Sequence, residues 1–449
     1  MTSLQKAKDC FMWASSQIPK TVELEIYFGE GRGRSVVWSE KKCEDFHQAE
    51  GGGVGIRVIE GGRQGYAFTN SVVQEDLEKT AQQALSAAKK LPADPYRSLP
   101  TRSAQYPKLD ESSLYDPQAF LEDIVTIQER LKAGENRLLK QVPLLRSVLR
   151  ASFSEGIGET VLLNSKGIET VYADTHSGMG VSCLAEKDGE RQEGGFGLTK
   201  RLKKDLDWDF IFDQAAKRTC ALLGGRTIPS GKIPVVFDPS VACEFLSLIS
   251  SGVCADSVQK GKSPLAKKLG ESVASPGITI VDDGTLAGAL ATSPSDDEGV
   301  PTQRTVIIQN GKLERFLYDT YTALKDRAPS TGNASRAGYK SSPTVGTSNF
   351  YLEKGTTSRE QILKETKGLY LYDVMGLHMA DPISGDFSVA VMGAYLEAGE
   401  LQFGVRGVTL AGNLLDLLKN IDAVGDDLTF FGSVGSPTFR VGGLMVSGS

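Results

Sequence analysis

Cysteine and histidine are scarce in this sequence, and their spacing excludes the common metal and redox sites. Among 449 residues there are six cysteines and three histidines. No cysteines form a CxxC pair, which argues against a structural zinc site or a disulfide framework and suits a reducing cytosol. His47, His176 and His378 lie far apart, so the HExxH motif of zinc proteases is absent. We therefore predict that the chain itself holds no metal and no other cofactor.

Long apolar runs and an excess of positive charge are also missing. No run approaches the roughly 18 apolar residues that span a bilayer, and Lys6, Lys8 and Asp9 stand where a signal peptide would need an uncharged core. The chain has 50 Lys and Arg against 56 Asp and Glu, a net charge of −6, whereas proteins that coat nucleic acid are usually basic. These absences predict a cytoplasmic protein with no membrane and no nucleic-acid partner.

Motifs for nucleophilic catalysis and phosphate binding are weak. The GxSxG motif does not occur, and Ser257-Val-Gln-Lys260 fits SxxK without the supporting KTG, so we interpret it as a chance match. The glycine run at residues 51–55 precedes a predicted strand, so no helix N-terminus would face an anion. Paired acids such as Asp282 and Asp283 can divide acid and base roles. Adjacent strand residues point to opposite faces, however, so turns and caps explain such pairs better.

Glycine is abundant, with 49 residues scattered through turns, which indicates many short strands. The sequence predicts an α+β fold of two smaller strand–helix domains followed by a large β-rich C-terminal domain. The predicted domains are an N-terminal α+β domain at residues 1–100, a middle α+β domain at 114–226 and the β-rich domain at 232–449. The segments at 91–113 and 224–232 are the predicted linkers, because their composition is typical of loops.

Local patterns give more detailed expectations. Alternating apolar residues predict a hairpin within residues 21–39, and a second hairpin at 161–172 has a clear turn between its strands. Asp116, followed by proline, is expected to begin a helix in the middle domain. Asp238, also followed by proline, is expected to begin a helix that runs to about Ser251.

A group of hydrogen-bonding side chains surrounds a predicted turn near the C-terminus. Asp381-Pro-Ile-Ser-Gly385 has the composition of a turn, and His378 precedes it. Asp386 and Ser388 would lie on one face of the following strand, because side chains alternate along a strand. Such a set is either catalytic or a structural turn with internal hydrogen bonds, and the residues alone leave both open.

Several ordered motifs resemble the TldD/TldE (PmbA) proteins, the so-called modulators of DNA gyrase of metallopeptidase family U62. The C-terminal motifs are Gly385-Asp-Phe-Ser-Val389, Val408-Thr-Leu-Ala-Gly-Asn413 and Val424-Gly-Asp-Asp427. Residues 55–59, 65–70, 276–283 and 297–300 resemble other parts of the same family. The resemblance therefore covers nearly the whole chain.

The sequence departs from the TldD branch of that family at the metal site. TldD-type chains hold their metal with HExxxH on a helix and with a later cysteine. The resemblance places HExxxH near Leu246-Ser-Leu-Ile-Ser-Ser251 and the cysteine at Phe431, so every ligand is missing here. This departure is typical of the TldE/PmbA branch, the metal-free partner of TldD.

The resemblance implies a metal-free subunit of a TldD/TldE-type metalloprotease that processes unfolded or short peptides. It implies a TldD-like HExxxH partner in a heterodimer, with a zinc-type metal on that partner, or a homodimer when the chain is isolated. No catalytic residue is expected on this chain. The candidate chamber or substrate-channel residues are His378, Asp381, Asp386, Ser388, Arg406 and Asn413. Two alternatives remain: a stand-alone peptidase with an unrecognised site, and a non-enzymatic protein-binding modulator of DNA gyrase.

Overall fold

A computed structural model describes residues 2–448 and confirms the α+β class. The helices are α1 (Ser3–Ser16), α2 (Gln74–Lys89), α3 (Ile124–Gln141), α4 (Trp208–Ala221), α5 (Pro239–Gly252), α6 (Ala255–Gln259), α7 (Thr320–Asp326), α8 (Arg359–Lys364) and α9 (Leu414–Lys419), with short 3-10 turns at Glu111–Ser113, Lys203–Asp205 and Leu377–Met379.

Within residues 2–448 the strands belong to four sheets, of six, six, two and seven strands. They are β1 (Glu23–Ser39), β2 (Lys42–Glu60), β3 (Arg63–Thr69), β4 (Leu145–Asn164), β5 (Glu169–Lys187), β6 (Glu190–Lys200), β7 (Gly231–Phe237), β8 (Ile280–Asp283), β9 (Arg304–Gln309), β10 (Lys312–Leu313), β11 (Ala334–Ser335), β12 (Thr344–Val345), β13 (Phe350–Leu352), β14 (Gly368–Met375), β15 (Asp386–Glu397), β16 (Glu400–Val405), β17 (Thr409–Asn413), β18 (Ile421–Val424), β19 (Thr429–Phe431), β20 (Val434–Ser436) and β21 (Phe439–Ser447). In the part of the chain that is described, no helix is long and apolar enough to cross a membrane.

The first two strand–helix regions share one antiparallel sheet. Its strand order is β3-β2-β1-β4-β5-β6. The joint between the regions is the pairing of β1 with β4, which runs from Glu25 opposite Asn164 to Trp38 opposite Ala151. The two regions are therefore connected by a long hydrogen-bonded ladder as well as by the chain that links them.

Two local predictions are wrong, and one hairpin is confirmed. Residues 21–39 do not form a hairpin, because β1 runs straight through its glycines and finds partners in β2 and β4 on either side. Asp116 does not begin a helix; it holds a turn by accepting hydrogen bonds from the backbone N–H groups of Gln118 and Lys203, each at 2.8 Å. The helix starts later, capped by Asp123. The hairpin at 161–172 is confirmed by β4 and β5.

The two faces of this sheet differ in side-chain size. Helices α1 to α4 cover one face and enclose two apolar cores. The opposite face carries small residues on five neighbouring strands, which we call the small-residue face: Gly29, Gly31, Gly33, Gly51, Gly53, Ser152, Ser154, Gly156, Gly158, Gly178, Gly180, Gly195 and Gly197. Side chains alternate along each strand, so at these positions the face presents backbone atoms and small side chains instead of bulky ones.

The C-terminal region is β-rich and contains a barrel. Strands β14-β7-β21-β17-β15 form a sheet that closes on itself where β14 also pairs with β15. Helix α5 packs its apolar side against the barrel through Phe245, whose ring centroid lies 5.2 Å from that of Phe237 and 5.0 Å from that of Phe387. A second sheet, β10-β9-β8-β13-β20-β19, lies on the other side of α5. The predicted helix starting at Asp238 is thus confirmed and lies at the centre of this region.

Buried ion pairs fix the first sheet against the C-terminal region. Arg57 donates to Glu25 at 2.9 Å and to Glu298 at 2.7 Å, and Arg336 also pairs with Glu25. Glu25, Arg57 and Glu298 are nearly inaccessible to water. These ion pairs therefore hold strands β1 and β2 against the C-terminal region.

Candidate functional site

A cavity of about 200 Å³ lies where the glycine-rich part of β6 meets the C-terminal region. Strand β6 forms one wall, the start of α5 and the end of β14 form the other, and β19 closes one end. We call it the α5 cleft, and its lining residues are Gly194, Gly195, Phe196, Gly197, Arg218, Leu222, Ser240, Glu244, Tyr372, Asp373, Met392 and Phe431. Residues from both halves of the molecule thus meet around one small space.

Arg218 forms the floor of the α5 cleft and connects its two walls. From α4, its Nη2 donates to the Asp238 carboxylate at 2.5 Å. Its Nη1 donates to Ser240 Oγ at 2.9 Å and to the backbone oxygen of Tyr372 at 3.3 Å. The guanidinium carbon lies 4.5 Å from the centroid of the Phe196 ring, a cation–π distance. Arg218 is therefore held by charge, hydrogen bonds and an aromatic face.

Asp238 is the buried carboxylate that holds Arg218 in position. It caps α5 by accepting from the backbone N–H of Ser240 at 3.1 Å, and it accepts from the Tyr370 hydroxyl at 2.5 Å. Burial alone would raise the pKa of the Asp238 carboxyl, but Arg218, Tyr370 and Arg359 outweigh burial and hold the pKa below its ordinary value. Asp238 therefore stays charged and keeps Arg218 in place.

One donor of Arg218 is left over. Its Nε is buried and has no hydrogen-bond partner within residues 2–448. The whole residue is only 7 % exposed. An unpaired buried donor carries a free-energy penalty, which the other bonds of Arg218 offset.

Two carboxylate residues also line the α5 cleft. Glu244 is on α5 and Asp373 is on β14. Water reaches both side chains, yet surrounding protein atoms and the charge of Asp373 raise the pKa of Glu244 to about 7. Burial also raises the pKa of Asp373, although a bond from the Val374 N–H and the charge of Arg218 oppose the rise. Arg218 therefore acts on Asp373 through its charge while its hydrogen-bonded partner is Asp238.

Comparison with known proteins now identifies the family. Residues 24–88 match the model described as PmbA/TldA metallopeptidase domain 1, residues 115–223 match the central domain, and residues 230–448 match the C-terminal domain. Metalloprotease MJ0996 of Methanocaldococcus jannaschii is 30% identical over 90% of this chain and 89% of its own length. The chain belongs to the PmbA/TldD family.

Other relatives agree with this assignment. Metalloprotease PmbA of Escherichia coli O157:H7 is 28% identical over 93% of this chain and 92% of its own length. The crystal structure of TM0727 from Thermotoga maritima, named as a candidate modulator of a DNA gyrase, superposes with a TM-score of 0.90 at 28% identity, covering 99% of this chain and 100% of that one. TldE from Thermococcus kodakarensis has the same fold, with a TM-score of 0.89 at 23% identity over 99% of this chain and 100% of TldE.

The residues of this PmbA/TldD chain do not fit the metal that the family name implies. Helix α5 and the β19–β20 turn are in contact, since Cys243 Sγ lies 3.3 Å from the backbone oxygen of Val434. On α5, however, Leu246 is buried and apolar, and the hydroxyls of the nearby serines, Ser247, Ser250 and Ser251, donate to carbonyls of their own helix. Over residues 2–448, no group of three or more His, Cys, Asp or Glu side chains is placed to hold a metal.

The candidate residues from the sequence lie elsewhere on this PmbA/TldD chain. Asp381 accepts from the N–H of Ile383 at 2.8 Å, and Asp386 accepts from Asn413 Nδ2 at 2.9 Å. Asn413 in turn caps α9. These bonds bring Asp381, Asp386 and Asn413 into one turn-and-cap cluster, whose aspartates have lowered pKa values because of their hydrogen bonds.

The other three candidates are not part of that cluster's bonding. His378 and Ser388 are exposed, and Ser388 lies on the outer face of the barrel. Arg406 lies at the junction with the middle region, with its Nη1 3.7 Å from Glu190. Among the described residues, the α5 cleft is lined by other side chains.

Sequence reasoning missed the α5 cleft, although two signals for it exist. Glu244 interrupts the apolar run Val241-Ala-Cys-Glu-Phe-Leu, and Asp373 interrupts Leu369-Tyr-Leu-Tyr-Asp-Val-Met. A single acid inside an apolar run marks a position at which the run meets water, and both acids are exposed in the structure. No sequence signal indicates that the two acids meet.

Proposed function

We propose that this chain is a metal-free TldE/PmbA-like subunit of a TldD/TldE-type metalloprotease that processes unfolded or short peptides. The observation that carries the proposal is that α5 and the β19–β20 turn are in contact but offer no metal ligand. The resemblance assigns the ligand positions of the catalytic branch to residues 246–251 and to Phe431, where this chain has Leu246, self-bonded serines and an aromatic ring. A TldD-like partner would supply the metal, which activates water for attack on a peptide carbonyl.

The contribution of this chain would be to bind and orient the peptide. Strand β6 is an edge strand, because within residues 2–448 it pairs only with β5. Its segment Gly194-Gly-Phe-Gly197 leaves main-chain groups accessible beside the α5 cleft. An extended peptide adds readily to such an edge through main-chain hydrogen bonds, which do not depend on its sequence. The small-residue face would extend this peptide-binding surface away from the α5 cleft.

The turn-and-cap cluster is proposed as a contact with the partner or as a wall of the substrate channel. Its surroundings are unusually apolar for a surface. Met375, Met379 and Ile383 are 62%, 72% and 50% exposed and come from the segment that contains His378. Exposed apolar side chains of this kind, edged by polar groups, are suited to an interface. We expect the assembly to be a cytoplasmic heterodimer, and a homodimer when the partner is absent.

Mixing the purified chain with a TldD-like HExxxH subunit tests the proposal. Peptide hydrolysis is expected only in the mixture, and replacing a metal ligand on the partner should abolish turnover while the complex still forms. The variants His378→Ala and Asp386→Ala should weaken assembly or peptide affinity, whereas Glu400→Gln, an exposed change elsewhere on the barrel, should not. Full activity of the isolated chain would contradict the proposal.

The alternative of a stand-alone peptidase rests on one observation, the pairing of Glu244 with Asp373. Two nearby carboxylates with different pKa values can act as acid and base. If the isolated chain cleaved peptides and Glu244→Gln removed the activity, this alternative would replace the subunit proposal. The third alternative, a gyrase modulator, would require stable binding to gyrase by the isolated chain and no stimulation of a TldD-like subunit.

A further inference from the structure

We infer that the outer edge of β5 at Val171 and Ala173 is a second peptide-binding site, which adds an extended antiparallel segment to the sheet and takes a lysine or arginine side chain of that segment at Glu159. We call it the β5 edge site. It is separate from the α5 cleft, because Val171 lies ten residues, or about 30 Å along a strand, from Val181, the residue opposite Phe196. The choice of an unfolded substrate chain as the source of the segment rests on the proposed function.

The edge of β5 is open because β6 covers only part of it. On one side β5 pairs with β4 from Glu169 onward, but on the other side β6 begins its pairing at Ser177. Just before that point, the N–H of Thr175 donates to the backbone oxygen of Leu114 at 3.3 Å. Between Glu169 and Thr175, no strand within residues 2–448 pairs with this side of β5. The first part of β5 is therefore an edge strand.

The main-chain groups of Val171 and Ala173 point toward this open side. Residues of an antiparallel strand direct their N–H and C=O groups alternately to its two neighbours. Thr175 directs its N–H away from β4, and the register with β4 is regular over this stretch, so the residues two and four positions earlier point the same way. Within residues 2–448, neither Val171 nor Ala173 has a main-chain partner on this side, and Val171 is 40% exposed. Four hydrogen-bonding groups are thus left for a further strand.

A cavity of about 860 Å³ lies beside this open edge. Its volume is within the range of about 300–1,000 Å³ that is typical of ligand pockets. The segment at 107–117 forms much of the opposite wall, and most of the lining side chains there are apolar: Pro107, Leu109, Leu114, Tyr115, Pro117 and Pro294. A strand edge that supplies main-chain partners, beside an apolar wall that receives side chains, has both components needed for strand addition.

Glu159 gives the β5 edge site a charge preference. It lies on β4 opposite Ala173 and borders the same cavity. Glu30, which lies opposite Glu159 in β1, takes the ammonium of Lys6 at 2.7 Å, and the guanidinium of Arg32 lies over an aromatic ring. Within residues 2–448, neither cation forms an ion pair with Glu159. A carboxylate without a partner beside an apolar groove is complementary to a basic side chain of the bound segment.

A long side chain on the added segment would reach Glu159 across Ala173. The residue directly opposite Ala173 would lie two strand spacings from Glu159, about 10 Å. A lysine or arginine side chain and a glutamate side chain span this distance together, and alanine leaves the path open because its side chain ends at Cβ. The resulting charge-assisted hydrogen bond would add selectivity to main-chain pairing, which does not itself depend on sequence.

Fluorescence anisotropy of fluorescein-labelled peptides on the isolated full-length chain tests the β5 edge site. The parent probe is Ser-Val-Leu-Lys-Leu-Val-Ser-amide, and two N-methylated forms carry methyl groups either on the lysine and valine nitrogens or on the two leucine nitrogens. With lysine opposite Ala173, the first form loses the N–H groups that face β5 and should bind at least about tenfold more weakly. The second form keeps those groups and should bind like the parent probe. Equal weakening by both patterns would overturn the inference.

Two variants test the edge and the charge separately. Ala173→Pro removes an N–H that points away from β4, so it breaks no ladder bond but should weaken binding at least about tenfold. Glu159→Gln should leave the parent probe bound but abolish its preference over a form with glutamate in place of lysine, and Glu400→Gln is the exposed control. Thermal unfolding shows whether each variant retains the fold. Unchanged binding by a folded Ala173→Pro variant would contradict the inference.

Photocrosslinking locates the bound peptide on the wild-type chain. A probe with a benzophenone side chain in place of one leucine should label residues 107–117 or the first part of β5. No binding of any probe at millimolar concentration, or labelling confined to β6, would overturn the inference. If the mixture with a TldD-like subunit failed to hydrolyse peptides while this binding persisted, only the subunit proposal would be refuted. Hydrolysis by the mixture without binding at the β5 edge site would refute this inference alone.

Discussion

Arg218 donates a 2.5 Å hydrogen bond to Asp238 and thereby joins the last helix of the middle region to the first helix of the C-terminal region. Both residues are buried, with exposures of 7 % and 2 %. Each has further partners, so the pair is a node in a network and not an isolated contact. The α5 cleft has its shape because this node fixes α4 against α5.

Breaking this pair should strongly destabilise the protein. The variants Arg218→Ala and Asp238→Asn each leave a buried polar group without its partner, and removing one member of a buried pair costs about 3–5 kcal/mol. Urea denaturation followed by circular dichroism measures the change. Arg191→Ala is the control, because Arg191 pairs with Glu186 at the exposed surface and should change stability by less than about 1 kcal/mol. Equal effects of the buried and exposed variants would contradict the prediction.

The contribution of Asp238 should also depend on pH. Its pKa in the folded protein is below the ordinary value, so folding favours the charged form. The resulting stability is fully present above the unfolded pKa of about 4 and is lost as the pH falls through the lower folded value. The stability difference between wild type and Asp238→Asn should therefore be constant near neutral pH and shrink in acid. Denaturation curves between pH 7 and pH 3 measure this change.

Glycine is required at position 65 but not at position 51. A Cβ on Gly65 would lie 1.9 Å from the backbone oxygen of Ala84 in α2, whereas a Cβ on Gly51 would have no atom within 4 Å. Gly65→Ala must push α2 off the sheet and should cost about 1–3 kcal/mol. Gly51→Ala should be neutral or slightly stabilising, because alanine restricts the unfolded chain more than glycine does. If both variants unfolded at the same urea concentration, the close approach of α2 to position 65 would have no effect on stability, and the prediction would be wrong.

The pKa of Glu244 should be unusually high and should depend on Asp373. Burial and the neighbouring charge raise the pKa of Glu244 to about 7. Asp373→Asn removes that charge, so the pKa of Glu244 should fall but remain above the ordinary glutamate value because burial persists. Carboxyl NMR titration of protein labelled at glutamate measures both values. If the pKa of Glu244 were the same in the variant, the charge of Asp373 would not act on Glu244, and the prediction would be wrong.

The purified chain should contain no stoichiometric zinc. The reason is the residue content of α5 and β19, where Leu246 and Phe431 provide no metal ligand. Elemental analysis of protein purified without chelators measures the metal content directly. About one zinc per chain that survives dialysis against a weak chelator would contradict this prediction.

The sequence determined the family, the α+β class and many of the individual elements. The hairpin at 161–172 and the helix after Asp238 follow from turn and cap residues, whose preferences act over a few neighbouring positions. That Leu246 and Phe431 offer no metal ligand is likewise a matter of residue identity. These features depend on local interactions, which a sequence displays without reference to distant parts of the chain.

Only the tertiary structure decided how distant segments pair and meet. The alternating apolar residues of 21–39 predicted a hairpin, but the hydrogen bonds of β1 are satisfied by β2 and β4, and β4 starts more than a hundred residues later. Arg218 and Glu244 lie on helices of two different regions, and Asp373 follows more than a hundred residues later, so their meeting depends on packing across the junction of the two regions. Long-range packing of this kind has no local signature, so the α5 cleft could be found only once the chain was folded.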